Sequence, residues 1–266
     1  MTNRLVDAVV ESEHLRAAPD GHVLVIELDN PSARNAVSAS LATGMEAALD
    51  LLESTPQLWL AVLTHTGPVF CAGADLKAVQ RGEAASLSTE RGGFGGIVRR
   101  ARTKPLIAAV DGPALAGGFE MVLTADLVVA STNAYFSLPE VRRGLIAAGG
   151  GLTRAIRALP RNIGMEVLLA GRTITAAEAE RYGLVNRVCE PGQARAAALE
   201  LAGQVALGAP LALAATRRIA LAASEQADRE SFASIDAELE KLYQSADMAE
   251  ALAAFFAKRD AHWAGA

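Results

Sequence analysis

The sequence predicts an α/β fold in which a largely parallel sheet is followed by a C-terminal helical region. Hydrophobic residues make up 51% of the 266 residues and aromatic residues only 5%, so the core must be built from Ala, Val, Leu and Ile. Short runs of these residues alternate with segments of helical periodicity, an order typical of parallel strands joined by crossover helices. After about residue 190 the strand pattern stops and only helical patterns remain.

Five short apolar runs carry the strand prediction. Each is rich in aliphatic residues, and the first is closed by Asn30-Pro31, a pair that ends a strand. Runs of this kind suit parallel strands that are covered by helices. The runs are residues 22–28, 58–64, 106–110, 127–130 and 184–188.

Helical periodicity recurs between and after these runs. Residues 41–52 have helical spacing, with Ser38 or Ser40 available as the N-cap. Residues 175–178 match a capping box, and Gly183 is placed to end the helix that this box opens. Three further helices are predicted over residues 194–207, 211–223 and 229–243.

The longest uncharged run, residues 201–216, is shorter than the ~20 residues that a helix needs to cross a bilayer. It also contains Gly203, Gly208 and Pro210, which interrupt a helix. We therefore expect two buried helices that meet at a turn, and no membrane partner.

Charge and cysteine content limit the partners and the compartment. A net charge of −5 without a basic tract argues against nucleic acid as a partner. Cys71 and Cys189 are too few for a disulfide framework and lack metal-ligand spacing, so we expect a reducing compartment and no metal site. Residues 1–15 contain three carboxylates and match neither a signal peptide nor a transit peptide. We expect a cytoplasmic protein.

Two glutamates are the candidate acid and base catalysts. Glu120 follows the adjacent glycines Gly117 and Gly118 in the first turn of a predicted helix, where an acidic residue also has an ordinary role beside the helix dipole. Glu140 follows a second apolar extended stretch, residues 135–138. Two carboxylates at the ends of apolar elements, with glycine-rich backbone beside them, predict an acid/base site.

A second glycine motif lies upstream, in residues 70–77 around Gly73. It comes between a predicted strand and a predicted short helix, an arrangement that leaves backbone N–H groups free at the helix start. Gly117 and Gly118 offer a similar set. If the fold brings both sets together, one N–H from each can point at a single developing oxyanion.

Other enzyme classes lack their motifs in this chain. The three glycines at residues 149–151 have neither the spacing nor the position of a dinucleotide-binding loop. No Gly-x-Ser-x-Gly nucleophile elbow is present, and the four histidines are scattered, so that we expect structural roles for them. Residues 78–97 are rich in glycine, which favours either a mobile ligand lid or a solvated connection.

Several motifs in a fixed order make the chain resemble the crotonase (enoyl-CoA hydratase/isomerase) superfamily. The match extends from about residue 20 to the end of the chain. The motifs are Arg-Asn-Ala at residues 34–36, Cys-Ala-Gly-Ala-Asp-Leu-Lys at 71–77, Ala-Leu-Ala-Gly-Gly-Phe-Glu at 114–120, Leu-Pro-Glu at 138–140, Gly-Leu-Ile at 144–146, Gly-Arg-Thr-Ile-Thr-Ala at 171–176 and Phe-Phe-Ala-Lys-Arg at 255–259.

The resemblance implies an α/β fold of the crotonase (ClpP-like) type, which is a spiral of repeated ββα units with a C-terminal helical region. It divides the chain into a spiral core with the acyl-CoA site, residues 1–190, and a helical trimerisation region, residues 191–266. Members of the superfamily usually assemble as trimers or pairs of trimers. We therefore expect a homotrimer or a dimer of trimers.

The resemblance also implies roles for the central residues. The thioester carbonyl of an acyl-CoA would lie between the backbone N–H groups of Ala74 and Gly117, which meet the enolate charge that develops at its oxygen. Members that hydrate enoyl-CoA carry glutamate at the positions of Glu120 and Glu140. Glu120 would hold and activate the water that attacks C3, and Glu140 would protonate C2. No cofactor is expected, because coenzyme A is part of the substrate.

The resemblance further implies contacts with CoA and the substrate. Arg34 matches a position near the nucleotide, Lys77 one near the phosphates, and Lys258 one that a neighbouring subunit can contribute. The full set is Arg34, Asn35, Ala36, Ala72, Asp75, Leu76, Lys77, Gly118, Phe255 and Lys258.

Membership alone leaves the reaction open, because isomerases, dehydratases, hydrolases, decarboxylases and dehalogenases share the scaffold. Δ3,Δ2-Isomerases generally keep only the second glutamate, so we expect reversible hydration of a trans-2-enoyl-CoA to a 3-hydroxyacyl-CoA, as in fatty acid β-oxidation. Isomerisation and acyl-CoA binding without turnover remain as alternatives.

One branch of the superfamily is especially similar to this chain. Residues 92–96, 117–120 and 258–263 look most like the carnitinyl-CoA dehydratases, whose substrate carries a trimethylammonium group. Hydration of crotonobetainyl-CoA is therefore the leading alternative. Phe119 and the pair Ala147-Ala148 depart from the commonest hydratase pattern near the expected acyl pocket, which leaves the acyl group open.

Overall fold

The computed structural model describes residues 8–265. Over this range the chain forms twelve β-strands and nine α-helices, with 3₁₀ turns at Pro31–Ala33, Ala84–Leu87 and Glu140–Arg143. The strands are β1 (Val10–Ser12), β2 (Leu15–Asp20), β3 (Val23–Leu28), β4 (Leu60–His65), β5 (Ser88–Thr89), β6 (Gly93–Phe94), β7 (Leu106–Val110), β8 (Ala114–Leu115), β9 (Leu127–Ser131), β10 (Tyr135–Ser137), β11 (Ile174–Thr175) and β12 (Arg187–Cys189). The helices are α1 (Ala39–Ser54), α2 (Leu76–Gln80), α3 (Gly117–Val122), α4 (Gly151–Ala158), α5 (Arg161–Ala170), α6 (Ala176–Arg181), α7 (Ala194–Val205), α8 (Pro210–Tyr243) and α9 (Ala246–Ala257).

The main sheet has the strand order β1-β2-β3-β4-β7-β9-β12. Pairing is antiparallel from β1 to β3 and parallel from β3 to β12. Four of the five predicted strand runs lie in the parallel part with bounds within two residues. The fifth begins later than predicted, at Arg187, because the N–H groups of Leu184 and Val185 bond the carbonyl of Ala179 and close the end of α6.

A second layer of short strands gives the chain its spiral course. After β3, β4, β7 and β9, the chain crosses into this layer before it enters the next helix. Val37 bridges Ala74 in parallel, and Cys71 bridges Ala114, which in turn pairs with Phe136. This repetition of strand, second-layer strand and helix confirms the predicted spiral of ββα units.

Both faces of the main sheet are buried. Along β4, Ala61 and Leu63 face the core that contains α1 and α3, whereas Leu60 and Val62 face a smaller core beneath α7. Side chains alternate between the two faces of a strand, so a strand covered on both faces must be apolar at every position. This explains why the parallel strands were visible as runs of mostly apolar residues.

The longest helix differs from its prediction. The helices expected over residues 211–223 and 229–243 form one continuous helix, α8. The polar residues between them do not end the helix, because Asp228 is buried there and binds side chains of α4. The strand pattern ends at Cys189 as predicted, and α7 packs on the main sheet. The division of the chain near residue 190 stays a prediction.

The turn predicted within residues 201–216 lies between α7 and α8. The prediction that both helices are buried there holds for α7, whose Ala202 is buried, and is wrong for the start of α8, where Leu211 is 85% exposed. Within residues 8–265 no single helix is long and apolar enough to cross a bilayer. Helices α7 and α8 meet that criterion only as a pair bent by 102°.

Substitution of two helical glycines by alanine should have different effects on the free energy of unfolding. Gly203 lies in α7 with open space around the position of a Cβ atom. We expect Gly203→Ala to raise the free energy of unfolding by about 0.5–1 kcal/mol, because alanine favours the helix. In α1, a Cβ atom at Gly44 would lie 2.6 Å from Ser12 Oγ, so Gly44→Ala should give no gain. Denaturant titrations at one protein concentration measure both changes, and equal gains would contradict the packing of β1 on α1.

Candidate active site

Two glycine-containing loops meet in the second layer of the fold. A Cβ atom at Gly73 would lie 3.2 Å from the carbonyl oxygen of Leu115 and 3.3 Å from the nitrogen of Gly117. A Cβ atom at Gly118 would collide with the carbonyl of Cys71. Backbone segments approach this closely only where no side chain intervenes. The structure therefore brings together the two glycine motifs that the oxyanion hypothesis requires.

The backbone N–H groups of Ala74 and Gly117 are free at this junction. Neither donates a hydrogen bond to another described residue, whereas the next N–H, of Asp75, donates to the carbonyl of Val37. Ala116, which precedes α3, has φ of 51° and ψ of −127°, a conformation that a residue with a Cβ atom rarely adopts. This strained turn begins α3 at Gly117 and leaves its N–H without an acceptor inside the helix.

Glu120 enters the site from the first turn of α3. It is 4% exposed, and its Oε1 accepts a hydrogen bond of 2.9 Å from the N–H of Gly151. Burial raises the pKa of Glu120 to about 7, while the N–H groups of Gly151 and Gly149 and the positive charge of Arg154 oppose the increase. A carboxyl group with this pKa can take up and release a proton near neutral pH.

Glu140 follows Pro139 at the start of a 3₁₀ turn. Both of its carboxylate oxygens are shielded from solvent and have no hydrogen-bond partner among the described residues. Burial raises the pKa of Glu140 well above its ordinary value, the charge of Glu120 raises it further, and Arg143 opposes the increase. The two glutamates therefore titrate as a pair, in which the negative charge of one favours the protonated form of the other.

A cavity of 260 Å³ opens beside Glu140. Its other lining side chains are aliphatic or methionine, and most come from α4 and α5, among them Leu152, Met165 and Leu168. Ala147, which departs from the commonest hydratase pattern, also lines this cavity. Phe119 does not: it is fully buried, with its ring centroid 5.2 Å from that of Phe136.

A larger cavity of 720 Å³ lies between α8 and the core. Among its charged side chains, Asp126 accepts hydrogen bonds from both Arg102 and Arg217. Neither Glu120 nor Glu140 lines it. The smaller cavity is therefore the candidate for the acyl group.

The predicted CoA contacts in the first half of the chain form one surface beside the free N–H groups. Three backbone hydrogen bonds of 2.8–3.1 Å join residues 34–37 to residues 72–75. Arg34 and Lys77 are exposed on this surface. The carboxylate of Asp75 caps α2 by accepting from the N–H of Lys77. Ala36, Ala72 and Leu76 are half-buried beside them.

Asn35 has a structural role in this surface. It is fully buried with φ of 51°, and its side-chain amide donates to the carbonyls of Thr66 and Val69. Its side-chain oxygen accepts from the N–H of Asn30. Only the backbone of Asn35 is left to approach a ligand.

Helix α9 carries the two C-terminal candidates, Phe255 and Lys258. The guanidinium of Arg143 lies 4.5 Å from the ring centroid of Phe255, which is 44% exposed. Lys258 ends α9 with φ of 53° and is exposed, and within residues 8–265 it forms no ion pair. A contribution of Lys258 to the site of a neighbouring subunit stays a prediction.

Within the glycine-rich segment of residues 78–97, residues 80–86 are mostly exposed, as in a solvated connection, whereas residues 87–97 are packed on α1. Glu46 of α1 accepts hydrogen bonds from the hydroxyl of Thr89 and the N–H of Gly92. The ring of Phe94 lies so close to Gly117 that a Cβ atom at Gly117 would collide with it. Phe94 was not among the predicted site residues, although a single aromatic residue within a glycine run, residues 92–96, was a signal that could have placed it there.

In the part of the chain that the structure describes, no group of three or more His, Cys, Asp or Glu side chains could hold a metal ion. The groups assembled at the site are two free N–H donors, two buried carboxyl groups and an apolar cavity. On a ββα spiral, this set defines an enzyme that stabilises an enolate and moves protons beside it.

The chain belongs to the enoyl-CoA hydratase/isomerase family, whose model matches residues 19–266. It is 39% identical over 249 residues to the mevalonyl-coenzyme A hydratase of Aspergillus fumigatus, covering 92% of each chain. It is 40% identical to the carnitinyl-CoA dehydratase of Salmonella heidelberg, covering 96% of this chain and 99% of the relative. The chain is accordingly a hydro-lyase that acts on a CoA thioester.

Solved structures agree with this assignment. The carnitinyl-CoA hydratase of Mycobacterium avium superposes with a TM-score of 0.92 at 39% identity, covering 96% of this chain and 100% of the other. The enoyl-CoA hydratase of Mycobacterium tuberculosis H37Rv gives a TM-score of 0.76 at 41% identity, covering 95% and 99%. The predicted superfamily and fold are confirmed.

The buried carboxyl groups predict a stability that falls with rising pH. A carboxyl group whose pKa is higher in the folded protein than in the unfolded chain holds its proton more tightly when folded. Its contribution is therefore present below the ordinary value of 4.5 and is lost as the pH rises through the folded-state pKa, which is about 7 for Glu120 and is also raised for Glu140. We expect Glu140→Gln to be about 1–3 kcal/mol more stable than the wild type at pH 8, and to lose most of this advantage at pH 5.

Glu178→Gln is the matched control for this measurement. The carboxylate of Glu178 accepts hydrogen bonds from Thr175 and Arg172, and these bonds lower its pKa. The same substitution should therefore destabilise the protein at pH 8. Denaturant unfolding at both pH values measures the two changes, and a Glu140→Gln variant that is less stable at pH 8 would contradict an unpartnered buried carboxyl.

Proposed function

We propose that the protein catalyses the reversible hydration of a trans-2-enoyl-CoA to a 3-hydroxyacyl-CoA. The observation that carries this proposal is the pair of buried carboxyl groups, of which Glu120 is hydrogen-bonded and Glu140 is not. Glu120 lies in the first turn of α3, the helix that begins at Gly117, and the backbone N–H groups of Gly117 and Ala74 are both free. One carboxylate base, one carboxylic acid and one oxyanion site are what the addition of water across a conjugated double bond requires.

The reaction follows from these positions. The thioester oxygen accepts hydrogen bonds from Ala74 and Gly117, which stabilise the enolate. The ionised Glu120 accepts a proton from water as the water oxygen bonds to C3, and the neutral Glu140 donates its proton to C2. The electron pair of the double bond forms the new C2–H bond, so atoms and charge balance. Loss of one such oxyanion donor typically costs about 3 kcal/mol of activation energy.

Hydration accounts for both glutamates, whereas isomerisation accounts for one. Moving a double bond needs a single base that removes a proton from one carbon and returns it to another. A second buried carboxylate beside that base would cost stability without taking part in the reaction. The retention of Glu120 with a pKa of about 7 therefore supports the hydratase.

An uncharged acyl chain fits the site best. The cavity beside Glu140 is lined by aliphatic side chains and methionine, and contains no aromatic ring and no carboxylate other than Glu140 within the described residues. A quaternary ammonium group is held by aromatic faces or by a carboxylate, neither of which is provided there. Glu140 is not available for this purpose, because its reaction requires it to be neutral.

Hydration of crotonobetainyl-CoA is the second candidate. It is supported by the resemblance to the carnitinyl-CoA hydratase of Mycobacterium avium, which has a TM-score of 0.92. Aromatic rings that could approach a cationic head group lie outside the cavity, at Phe94 and Phe255. The two candidates share every catalytic step and differ only in the acyl group.

The remaining expectations belong to the same proposal. CoA would be held by Arg34, Lys77 and Lys258 through its phosphates, and no cofactor is needed.

Exposed Leu207, Leu211 and other apolar side chains near α8 support assembly as a homotrimer or a dimer of trimers. Two free cysteines are consistent with a cytoplasmic location. A neutral acyl chain is consistent with fatty acid β-oxidation.

Substitution of either glutamate tests the reaction. We expect Glu120→Gln and Glu140→Gln each to lower kcat for hydration of crotonyl-CoA by about 10²–10⁴-fold, because each removes one proton transfer. Mass spectrometry of the product formed in ¹⁸O-labelled water measures the water that is added. Glu178→Gln removes a carboxylate that accepts from Thr175 and Arg172 and contacts neither glutamate, so it should retain kcat within about threefold. An isomerase would instead keep most of its activity on 3-enoyl-CoA in Glu120→Gln.

Isosteric substrates test the acyl group. 5,5-Dimethylhex-2-enoyl-CoA has the shape of crotonobetainyl-CoA with carbon in place of the charged nitrogen. We expect the neutral thioester to have at least a tenfold higher kcat/KM, because the cavity offers no counter-charge. A preference for the cation would favour the second candidate.

Substitution of a residue that lines the cavity tests whether the acyl chain binds there. Met165 lines the cavity and is half-buried, so Met165→Trp should lower kcat/KM for decenoyl-CoA at least tenfold more than for crotonyl-CoA. Met165→Leu, of similar volume, should leave this ratio unchanged. A ratio that is unchanged in both variants would place the acyl chain elsewhere.

A further inference from the structure

The turn of Gly149 to Gly151 is compressed between Glu120 and an arginine to which the proposed reaction gives no role. On one side, Gly151 donates to Glu120, and a Cβ atom at Gly149 would lie 2.5 Å from Glu120 Oε2. On the other side, a Cβ atom at Gly150 would collide with the guanidinium of Arg154. The position of the turn, and with it that of the Gly151 N–H, therefore depends on both neighbours.

Arg154 fixes this turn through hydrogen bonds from all three nitrogens of its guanidinium group. Its Nη1 donates to the carbonyl of Gly149 at 3.2 Å, and its Nη2 donates to the carbonyl of Val98 at 2.8 Å. Its Nε donates to Oδ2 of Asp228 at 3.0 Å. Because the guanidinium is planar and rigid, three acceptors in three directions leave it one orientation.

Asp228 anchors the arginine from the C-terminal region. It is 5% exposed and lies in α8, 74 residues along the chain from Arg154. Its carboxylate also accepts a hydrogen bond of 2.7 Å from the hydroxyl of Thr153 and a further bond from Arg157. Two cations and a hydroxyl thus hold a single buried carboxylate, which compensates its loss of hydration.

We propose that Arg154, held by Asp228, is a positioning residue that presses the Gly149–Gly151 turn against Glu120 and so fixes the carboxylate that holds the attacking water. The inference rests on the proposed hydratase function, because it gives Glu120 the task of holding that water. It also makes the docking of α8 on α4 a condition for catalysis, since α8 supplies Asp228.

The charges around Glu120 support this role. Glu140 faces it from the 3₁₀ turn, with Arg143 beyond, and Arg154 faces it from α4, with Asp228 and Arg157 beyond. Arg154 is the cation that opposes the rise in the pKa of Glu120 caused by burial. Removing this charge should raise the pKa of Glu120 further, so that the base becomes available only at higher pH.

Steady-state kinetics over a range of pH test the proposal. We expect Arg154→Gln to lower kcat for crotonyl-CoA at least tenfold, to change KM less than threefold, and to move the acidic limb of kcat/KM to higher pH. Arg154→Lys keeps the charge but not the three bonds, so kcat should fall while the acidic limb stays in place. Asp228→Asn should also lower kcat, as Arg154→Lys does.

Asp236→Asn is the matched control on the same helix. Asp236 pairs with Arg99 and also holds α8 to the core, but this pair has no contact with the turn or with Glu120. Its kcat and pH profile should equal those of the wild type. A loss in Asp236→Asn as large as in Asp228→Asn would reduce Asp228 to a structural contact and overturn the proposal.

The Glu120→Gln background separates positioning from general stability. If Arg154 acts through Glu120, adding Arg154→Gln to Glu120→Gln should lower the residual kcat less than threefold. The same fold-loss in both backgrounds would overturn the proposal, as would an Arg154→Gln single variant with an unchanged acidic limb. Arg154→Lys and Asp228→Asn provide the same comparison if Arg154→Gln does not fold.

Infrared spectroscopy distinguishes failure of this proposal from failure of the proposed function. The titration of the Glu120 carboxyl is measured without substrate, from the difference between each protein and its Glu120→Gln variant. A higher pKa of Glu120 in Arg154→Gln supports the positioning role even if the wild type hydrates none of the thioesters tested, in which case the proposed function alone fails. An unchanged pKa overturns the positioning role whatever the reaction is.

Discussion

The active site depends on the close approach of Gly73 to the backbone that begins α3. Parallel pairing in the second layer sets this approach, because Val37 aligns with Ala74 and Cys71 with Ala114. A side chain at position 73 would push the two loops apart. Two N–H donors are thereby placed by backbone alone, so they need no reorganisation when negative charge develops between them.

The same packing gives the two carboxyl groups pKa values suited to proton transfer, but burying them lowers the stability of the fold. Removal from water raises the pKa values of Glu120 and Glu140, and the repulsion between their charges keeps a proton on one of them. The fold tolerates this cost because the main sheet buries apolar side chains on both faces. Each hydration moves a proton from Glu140 to the substrate and another from water to Glu120, so one proton must return between the glutamates before the next turnover.

The parallel strands could be predicted because burial on both faces favours apolar residues at most positions. The second-layer strands could not, since pairs such as Ala114–Leu115 are too short to carry a period. Both glutamates were found because they follow apolar segments and have glycine-rich backbone nearby. Arg154 and Asp228 were missed, because an arginine and an aspartate that meet across 74 residues leave no local pattern. For the same reason the polar middle of α8 was taken as a break in the helix.

The two glutamates have different roles because their surroundings are different. Glu120 accepts a hydrogen bond from the Gly151 N–H, which stabilises its ionised form, whereas the oxygens of Glu140 accept no hydrogen bond from another described residue. The hydrogen-bonded carboxyl therefore ionises first and becomes the base, and the other retains its proton and becomes the acid. One backbone N–H in the Gly149–Gly151 turn thus establishes the asymmetry that water addition needs. Since Arg154 holds this turn against Glu120, the difference between the two glutamates depends on a residue that belongs to neither of them.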